Sequence, residues 1–255
     1  SKKIALSASL DKISRRNFSG LAILGMGGSG FSGDIIKTLV NSNIKIPVEI
    51  VKSYDLPSYI DKEWLVVAVS YSGNTEETIS AVLQAHKRGS EIIGISSGGK
   101  LEKIMEEKEK CHISLPSGFQ PRGASGYLFF TTLIILKRLG IFDISNDEIN
   151  EAVEIIGKKA LLYKRDVEVD KNPAKQLAIG LYERLPVIYG TSGFLSAVAY
   201  RWKCEINENA KCPAFWAEFP ELNHNETVGW QNLRNVTQQM VLVVFKDKAF
   251  SDKIK

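Results

Sequence analysis

Residues 64–83 read WLVVAVSYSGNTEETISAVL, and this stretch decides the fold class of the chain. Its first six residues form an apolar run of the length and type of a strand that is buried on both faces of a parallel sheet. From Thr75 onward, the apolar residues Ile79, Val82 and Leu83 recur at the three- and four-residue spacing of a helix. The stretch therefore predicts a strand, a glycine-broken turn and a helix, which together are typical of an α/β domain.

The turn between this strand and this helix carries the hydroxyl groups of Ser70, Ser72 and Thr75. The first N–H groups of the helix and the positive end of its dipole face the same turn, so these donors together suit an anion. No lysine accompanies them, and the turn therefore favours a compact phosphate monoester over a triphosphate. The alternative interpretation is an ordinary helix N-cap, which needs only one hydroxyl.

Strand-like and helix-like segments alternate from Leu21 to Gly140 and predict a doubly wound α/β domain. Further strands are predicted at residues 21–24, 48–51, 92–96 and 112–115, and helices from Ser32, from Thr75 to Lys87 and from Ala124. A helical linker follows, in which Ser145 and Glu148 form a capping-box pair and Asn172 with Pro173 marks another helix start.

The pattern starts again at Pro186, which indicates an internal repeat. Residues 187–202 (VIYGTSGFLSAVAYRW) echo residues 22–37 (AILGMGGSGFSGDIIK) as an apolar strand, a glycine-rich turn and a helix. The run MVLVVF at 240–245 would then occupy the place of 64–69, although no second hydroxyl-rich turn follows it. The two copies are therefore expected to differ in role.

The repeat predicts one domain at residues 1–145 and a second at 146–255, which begins with the helical linker. The hydroxyl-rich turn assigns phosphate binding to the first domain. Because the second copy is shorter and the chain opens on Ser1 without a methionine, we expect the second domain to be truncated in this chain.

The composition is that of a globular chain, since 255 residues at 44% hydrophobic content can bury a sizeable core. No apolar run approaches the roughly 20 residues of a membrane span, and the N-terminus lacks the plan of a signal peptide. We therefore expect a cytoplasmic protein with no membrane partner. The net charge of +4 is spread along the chain, and its one basic concentration is too weak to predict a nucleic-acid partner. This concentration consists of Lys2, Lys3, Arg15 and Arg16.

Cysteine and histidine are scarce, with three residues of each type. The positions of Cys111, Cys204 and Cys212 give no CxxC spacing, so neither a disulfide framework nor a zinc site is predicted. His86 ends a predicted helix and His112 opens a predicted strand, and we expect structural roles for both.

A second glycine-rich turn, at Gly25, Gly27 and Gly30, has GxGxxG spacing between a strand and a helix, with Glu49 about 20 residues further on. This is the fingerprint of a dinucleotide fold, so a nicotinamide dehydrogenase is an alternative. Such a fold does not need an anion turn one strand later, whereas a sugar phosphate could place its phosphate there and its hydroxyls near Ser29. A P-loop ATPase is disfavoured because the loop lacks Lys followed by Ser or Thr. The simplest alternative is that the glycines only permit close packing.

Three further side chains could take part in chemistry. Arg122 lies in a glycine-flanked loop, where a fixed guanidinium can hold a negatively charged intermediate. Glu208 lies near the end of the helix that begins at Phe194, on or next to its apolar face, and suits a proton shuttle, with Glu205 one turn earlier as its competitor. His224 lies in a polar loop, where an imidazole can exchange protons at neutral pH. The alternatives are a surface arginine and a histidine that only bonds its own loop.

On these residues the chain resembles the sugar isomerase (SIS) superfamily and, within it, the bifunctional phosphoglucose/phosphomannose isomerases of archaea and some bacteria. The resemblance covers nearly all of the chain, and it implies two SIS-type doubly wound α/β/α sandwich domains with parallel sheets. The motifs that carry it, in the family order, are GMGGSGFSGD at 25–34, SYSGNTEET at 70–78, PRG at 121–123, NENAK at 207–211 and PELNHNE at 220–226.

The resemblance also implies the site residues. Arg122 would lie beside the reaction intermediate, Glu208 would be the base, and His224, contributed across a homodimer, would open the sugar ring. The family has a further lysine near its C-terminus, which Lys253 and Lys255 do not convincingly replace, so we expect the site of this chain to be incomplete. The residues that would hold the substrate, chiefly its phosphate, are Gly28, Ser29, Ser70, Ser72 and Thr75.

The hypothesis is a reversible aldose–ketose isomerisation of glucose 6-phosphate, and of mannose 6-phosphate, with fructose 6-phosphate through a cis-enediol. Neither a metal nor an organic cofactor is expected. The alternative is a non-catalytic SIS protein that binds a sugar phosphate and regulates a partner. Such a sensor needs the hydroxyl-rich turn but not Arg122, Glu208 and His224, and the sequence contains no fused helix-turn-helix or glutaminase module.

Overall fold

The structure is a computed structural model, which describes residues 9–14, 16–40, 44 and 46–246. The chain divides into two compact units, Ser1–Asp143 and Ile144–Lys255. No helix in the described ranges is both long and apolar enough to cross a bilayer. Five basic residues named above lie outside the described residues: Lys2, Lys3, Arg15, Lys253 and Lys255.

The first unit is built on a five-stranded parallel sheet with the strand order β2-β1-β3-β4-β5. Every residue of β1 and β3 is buried, as the apolar run WLVVAV predicts for a strand that is covered on both faces. Since β1 and β3 are parallel neighbours, the turns that follow them lie at the same edge of the sheet. The strands are β1 (Gly20–Leu24), β2 (Val48–Val51), β3 (Trp64–Val69), β4 (Glu91–Ser96) and β5 (Cys111–Ser114).

Helices cover this sheet and complete its core. Buried side chains of two helices pack with Val66 and Ala68 of β3, among them Val82 and Leu101. The helices are α1 (Ser9–Ile13), α2 (Gly27–Val40), α3 (Glu76–Lys87), α4 (Gly99–Glu107) and α5 (Ser125–Arg138), and a 3-10 turn at Pro121–Ala124 precedes α5.

The helix after β1 begins earlier than the sequence predicts. Its start was predicted at Ser32, beyond the glycines, but α2 begins at Gly27. A Cβ atom at Gly30 would lie 2.5 Å from the carbonyl oxygen of Gly25, so the glycines allow the chain to turn into the helix at close range. Tertiary packing here overrides the low helix propensity of glycine. The helix predicted from Ala124 begins one residue later, after the 3-10 turn.

The second unit repeats the centre of the first topology. Its parallel sheet has the order β7-β6-β8, which corresponds to the order β2-β1-β3. The strand formed by MVLVVF therefore lies beside β6 as the strand WLVVAV lies beside β1, as the repeat predicts. Both sheets are parallel, which confirms the α/β fold class. The strands are β6 (Leu185–Thr191), β7 (Phe215–Phe219) and β8 (Met240–Val244).

The helix starts predicted in the linker are confirmed. The Ser145 Oγ atom accepts a hydrogen bond from the Glu148 N–H at 3.1 Å, and the Glu148 carboxylate accepts one from the Ser145 N–H at 2.8 Å. Asn172 caps the next helix, in which Pro173 is the first residue. The helices are α6 (Asn146–Leu162), α7 (Pro173–Leu181), α8 (Phe194–Glu205), α9 (Leu222–Asn225) and α10 (Arg234–Thr237).

Candidate active site

The turn after β3, which we call the hydroxyl turn (residues 70–75), lies at the carboxyl edge of the first sheet. Ser70 is fully buried, and its Oγ atom lies 2.9 Å from the Oγ1 atom of Thr75. The Ser72 Oγ atom accepts a hydrogen bond from the Asn74 N–H at 3.2 Å. All three hydroxyls that the sequence assigns to phosphate therefore lie within one six-residue turn.

The N-terminus of α3 opens onto the hydroxyl turn. Thr75 occupies the N-cap position, but its side chain makes no cap hydrogen bond within the described residues and instead contacts Ser70. At the matching position of α6, the Ser145 side chain does cap its helix. The interpretation as an ordinary N-cap is therefore wrong for this turn. The first N–H groups of α3 and its dipole remain available at the hydroxyl turn, where an anion is stabilised.

The glycine loop between β1 and α2 contacts the hydroxyl turn directly. Ser29, which is only 6% exposed, accepts a hydrogen bond from the Tyr71 N–H at 3.2 Å through its Oγ atom. Gly28 comes just before it, in the first turn of α2. In the described part of the chain the Ser29 hydroxyl has no recorded acceptor, so its proton can be donated to a ligand. Ser29 thus lies with the hydroxyl turn, as the sequence predicts.

The geometry of the glycine loop does not favour a dinucleotide. Glu49 pairs with Ala22 in the middle of the two strands, whereas ligands of such sheets bind beyond the carboxyl ends of the strands. A Cβ atom at Gly33 would lie 2.9 Å from the Cδ1 atom of Ile50. The glycines of α2 therefore also serve the close packing of the helix on the sheet.

Arg122 lies in the 3-10 turn that leads into α5, and this turn packs against α2. The loop before it is fixed to the hydroxyl turn by Tyr71, whose hydroxyl donates to the Pro116 carbonyl at 2.8 Å and accepts from the Phe119 N–H at 2.9 Å. The Ser125 hydroxyl donates to the Arg122 carbonyl at 3.0 Å. Tyr71 is a residue that sequence reasoning missed, and its position between two serines gave no signal of this long-range role.

Glu208 lies on a single π-helical turn, Ile206–Ala210, that continues α8. The sequence predicts this carboxylate on or next to the apolar face of the helix, and in the structure its Oε1 atom lies 3.7 Å from the Arg201 Nη1 atom. Arg201 is buried, at 6% exposure, while the Glu208 side chain is 37% exposed.

Glu205, the competitor for the role of base, is held more tightly. Its carboxylate forms an ion pair with the Arg201 guanidinium and accepts a hydrogen bond from the Asn209 side chain at 2.5 Å. Glu208 has the looser contact with the same guanidinium and keeps more exposure, so it is the freer of the two to transfer a proton. Arg201 was missed in the sequence, although its four-residue spacing from Glu205 is the spacing of a helical ion pair.

His224 lies on the short helix α9 and is exposed. Within the described residues no hydrogen bond or ion pair is recorded for its imidazole, so the interpretation of a histidine that bonds its own loop is not supported. The helix is anchored by the buried Leu222 and by Glu226, which accepts a hydrogen bond from the Tyr189 hydroxyl at 2.7 Å. Trp230 Nε1 donates to the same hydroxyl at 3.0 Å.

Tyr189 is a buried tyrosine whose hydroxyl contacts Glu226 and Trp230 in the segment that follows His224. Burial, and then its hydrogen bond to Glu226, raise the pKa of Tyr189 to about 12. Its proton therefore stays in place at neutral pH and holds the segment that carries His224. No signal in the sequence could have found this contact, because the two partners lie 37 residues apart.

The described residues contain no group of three or more His, Cys, Asp or Glu side chains that could hold a metal ion. All three cysteines are free, and Cys111 is buried. The candidate groups of the first unit are hydroxyls, backbone amides and the Arg122 guanidinium, and those of the second unit are the Glu208 carboxylate and the His224 imidazole.

Family models match both halves of the chain, the SIS domain at residues 17–138 and the bacterial phospho-glucose isomerase C-terminal SIS domain at residues 170–255. The bifunctional phosphoglucose/phosphomannose isomerase of Caldicellulosiruptor bescii is 42% identical over 227 residues, which cover 89% of this chain and 67% of that protein. The chain belongs to this isomerase family. The family membership also decides against the dehydrogenase alternative.

Two further relatives also match the chain over most of its length. The bifunctional phosphoglucose/phosphomannose isomerase of Aquifex aeolicus is 37% identical, over 91% of this chain and 68% of that protein. The D-glucosamine-6-phosphate 4-epimerase of Sulfolobus acidocaldarius is also 37% identical, over 81% of this chain and 62% of that protein. The chain thus spans about two thirds of the length of the curated relatives that it matches.

Solved structures agree on the fold. The tagatose-6-phosphate ketose/aldose isomerase of Escherichia coli matches with a TM-score of 0.66 and 17% sequence identity, over 93% of this chain and 66% of that chain. A hypothetical protein of Thermus thermophilus matches with a TM-score of 0.69 and 17% identity, over 93% of this chain and 63% of that chain. At these identities the match concerns the fold alone.

Proposed function

We propose that this chain catalyses the reversible isomerisation of glucose 6-phosphate, and of mannose 6-phosphate, with fructose 6-phosphate. The observation that carries the proposal is the open N-terminus of α3, where Ser70 and Thr75 contact each other and neither caps the helix. Membership of the phosphoglucose/phosphomannose isomerase family supports the choice of substrate and of reaction.

The hydroxyl turn would bind the phosphate group, together with the amides of α3 and the Ser29 hydroxyl. This group lies far from the reacting carbons, so the energy of binding it is available to orient C1 and C2 of the sugar. Gly28 would allow the sugar to approach the backbone of the glycine loop. A compact phosphate monoester fits a turn that lacks a lysine.

Glu208 would remove the proton from C2 of an aldose, or from C1 of a ketose, and return it to the neighbouring carbon through a cis-enediol. Arg122 would stabilise the negative charge that develops on the enediolate oxygens. His224 would open the ring by proton exchange before this step. A single carboxylate can serve both carbons, and both C2 epimers share the same enediol.

Two features of this proposal concern the assembly and its setting. We infer a homodimer in which the partner copy contributes His224 to the site, and a cytoplasmic location. The exposure of the imidazole and the absence of a recorded partner for it among the described residues support the first inference. A sedimentation measurement of the purified protein would test it, because a monomer would contradict it.

Two other functions are kept as outcomes of the test. A sensor would bind the sugar phosphate without turnover. A 4-epimerase, the activity named for the Sulfolobus acidocaldarius relative, would invert C4 and leave C1 and C2 unchanged. The isomerase therefore changes C1 and C2, the epimerase changes C4, and the sensor changes no carbon.

The deciding experiment is proton NMR of fructose 6-phosphate incubated with the purified chain in D2O, beside Glu208→Gln and Glu205→Gln. We expect aldose 6-phosphate with deuterium at C2 from the unsubstituted chain and from Glu205→Gln, since Glu205 is engaged by Arg201 and Asn209. Glu208→Gln should bind the sugar phosphate and lose turnover by about a thousandfold, the scale of a general acid–base contribution.

Each other outcome is informative. Equal turnover by Glu208→Gln would remove Glu208 from its role, and loss in Glu205→Gln alone would transfer the role to the competitor. Binding without any exchange would favour the sensor. Inversion at C4 of glucosamine 6-phosphate, with no exchange at C1 or C2 of fructose 6-phosphate, would favour the epimerase.

A further inference from the structure

A second cluster of titratable and hydroxyl side chains lies beside the hydroxyl turn, on β4, β5 and α4. The Nε2 atom of His112 lies 2.8 Å from the Ser96 Oγ atom, and its Nδ1 atom lies 3.6 Å from a Glu102 carboxylate oxygen. Ser96 is fully buried, and the side chain of His112 is 9% exposed. The order carboxylate, imidazole, hydroxyl is that of a hydrolase triad.

This cluster is not a nucleophilic site. Ser96 has no exposed surface, so no substrate carbonyl can reach its Oγ atom. Its hydroxyl donates to the Gly98 carbonyl at 2.8 Å, so its proton is not available to a general base. Because Ser96 is buried, its hydrogen bonds with His112 and Gly98 serve the structure and not a reaction.

The donors of the cluster can be assigned from their partners. A hydroxyl has one proton and can accept two hydrogen bonds. Because the Ser96 proton goes to Gly98, the Ser96 Oγ atom accepts from the Gly98 N–H at 3.2 Å and from His112. The His112 Nε2 atom must therefore carry a proton. Burial lowers the pKa of His112, against the opposing charges of Glu102 and Glu106, and this favours the neutral ring.

Gly98 connects this cluster to the phosphate-binding turn. A Cβ atom at Gly73 of the hydroxyl turn would lie 1.7 Å from the Gly98 carbonyl oxygen, so the two backbones are in close contact. The backbone of Gly98 has φ 136° and ψ −147°, a conformation that glycine adopts and other residues rarely do. The Ser96 hydroxyl bonds both polar backbone atoms of this residue.

The segment that follows Ser96 holds the hydroxyl turn from one side. Ser97 donates to the Tyr71 carbonyl at 2.8 Å through its N–H and at 2.7 Å through its hydroxyl. The Leu101 N–H donates to the Gly73 carbonyl at 2.8 Å, and the Lys100 N–H donates to the Asn74 side chain at 3.0 Å. Residues 97–101 thus form a clamp, and the shape of the hydroxyl turn depends on the shape of this clamp.

We propose that His112 is a positioning residue for phosphate binding, which acts by fixing Ser96 and, through Gly98, the clamp of residues 97–101 against the hydroxyl turn. The expected effect of this role on KM and kcat rests on the proposed function. The expected effect on the affinity for phosphate requires only that the hydroxyl turn holds a phosphate group. His112 touches neither substrate nor reacting atoms in this role.

The test compares His112→Leu, His112→Gln and Ser96→Ala with the control His86→Gln, a histidine near the end of α3 outside the cluster. The probes are inorganic phosphate and fructose 6-phosphate, with affinities from calorimetry and with KM and kcat from the isomerase assay. We expect His112→Leu and Ser96→Ala to weaken both affinities about five- to tenfold, the scale of one lost hydrogen bond, and to raise KM by the same factor. The value of kcat should stay within about twofold, since the reacting groups are untouched.

Two comparisons separate positioning from simple stability. His112→Gln should keep wild-type affinity, because its side-chain amide can donate to Ser96 as Nε2 does. The double variant of His112→Leu with Ser96→Ala should bind no more weakly than the weaker single variant, because both changes remove the same interaction. The control His86→Gln should leave affinity, KM and kcat unchanged.

The proposal is overturned if His112→Leu and Ser96→Ala lower only the melting temperature and leave both affinities as in the wild type. It is also overturned if the losses of the two changes add in the double variant. Should His112→Leu fail to fold, Ser96→Ala, which removes a single oxygen atom, decides the question. Weaker phosphate binding in a chain that shows no isomerase activity would support the role of His112 while contradicting the proposed function.

Discussion

Gly73 occupies a position of the hydroxyl turn that requires glycine. It has a φ of +68°, and a Cβ atom there would lie 1.7 Å from the Gly98 carbonyl oxygen. Both the backbone conformation and the space therefore require glycine. The sequence identifies this residue as the break between a strand and a helix, but the second reason, the close approach of Gly98, comes from a contact across 25 residues of chain.

We expect Gly73→Ala to lower the free energy of unfolding by about 3 kcal/mol, the sum of a left-handed backbone penalty and of overpacking. Gly89→Ala is the matched control, because Gly89 also has a positive φ, +81°, but a Cβ atom there would lie 3.5 Å from its nearest neighbour, Lys62. This control should cost only about 1 kcal/mol. Urea titration followed by circular dichroism measures both, and equal losses would contradict the role of the Gly98 contact.

At the scale of elements, two N-caps with similar residues serve different ends. Ser145 caps α6 with a full capping box, whereas the hydroxyl of Thr75 at the start of α3 contacts Ser70. The propensity rules that predict helix starts cannot separate these cases, because both side chains suit a cap. The difference arises from the buried Ser70, which lies at the carboxyl end of the central strand β3.

This difference predicts opposite effects of two similar substitutions. Ser145→Ala should lower the free energy of unfolding by about 1 kcal/mol and leave phosphate affinity unchanged. Thr75→Ala should lower the free energy of unfolding by less than about 1 kcal/mol. It should weaken the binding of inorganic phosphate by about tenfold, because the phosphate loses a hydroxyl donor of the protein. Urea titration and calorimetry on both variants check this, and a stability loss in Thr75→Ala equal to that of Ser145→Ala would identify Thr75 as an ordinary cap.

At the scale of the whole molecule, the two sheets share the order of their central strands although they belong to separate units. The sequence predicts this likeness because both copies keep the order of apolar strand, glycine turn and helix. The hydroxyl turn is present in one copy only, so similar topology does not imply similar chemistry. Glu208 and His224 lie in the second unit, on segments whose spacing the first copy does not repeat.

Burial of His112 gives the molecule a predictable response to acid. Its pKa is lowered in the folded state from the ordinary value of 6.5, chiefly by burial and against the opposing charges of Glu102 and Glu106. The unfolded state therefore binds a proton first, and stability falls as the pH falls from about 6.5 toward the lowered pKa, then levels off below it.

We expect His112→Gln to reduce this acid loss, because glutamine does not titrate. The measurement is the melting temperature of the wild type and of His112→Gln between pH 7.5 and pH 5, on the scale of the ordinary histidine pKa of about 6.5. As the pH falls, the melting temperature of His112→Gln should rise relative to that of the wild type. A difference between the two melting temperatures that is constant across this range would contradict the burial of a neutral imidazole, and His86→Gln serves as the control.

The sequence by itself determined the parts of this protein that depend on neighbouring residues. The strand β3, the caps of α6 and α7 and the presence of three hydroxyls in one turn follow from apolar spacing and from local hydrogen bonds, which act over a few residues. The comparison of motifs added the family, because their order along the chain is specific even where each one is weak.

Only the tertiary structure decided which groups meet across the chain. The contact of Ser29 with Tyr71 spans 42 residues, and that of His112 with Ser96 joins two strands. Such contacts depend on how strands and helices pack, and no local spacing encodes them. The hydroxyl turn could therefore be located from the sequence, while its open helix end and the clamp around it required the fold.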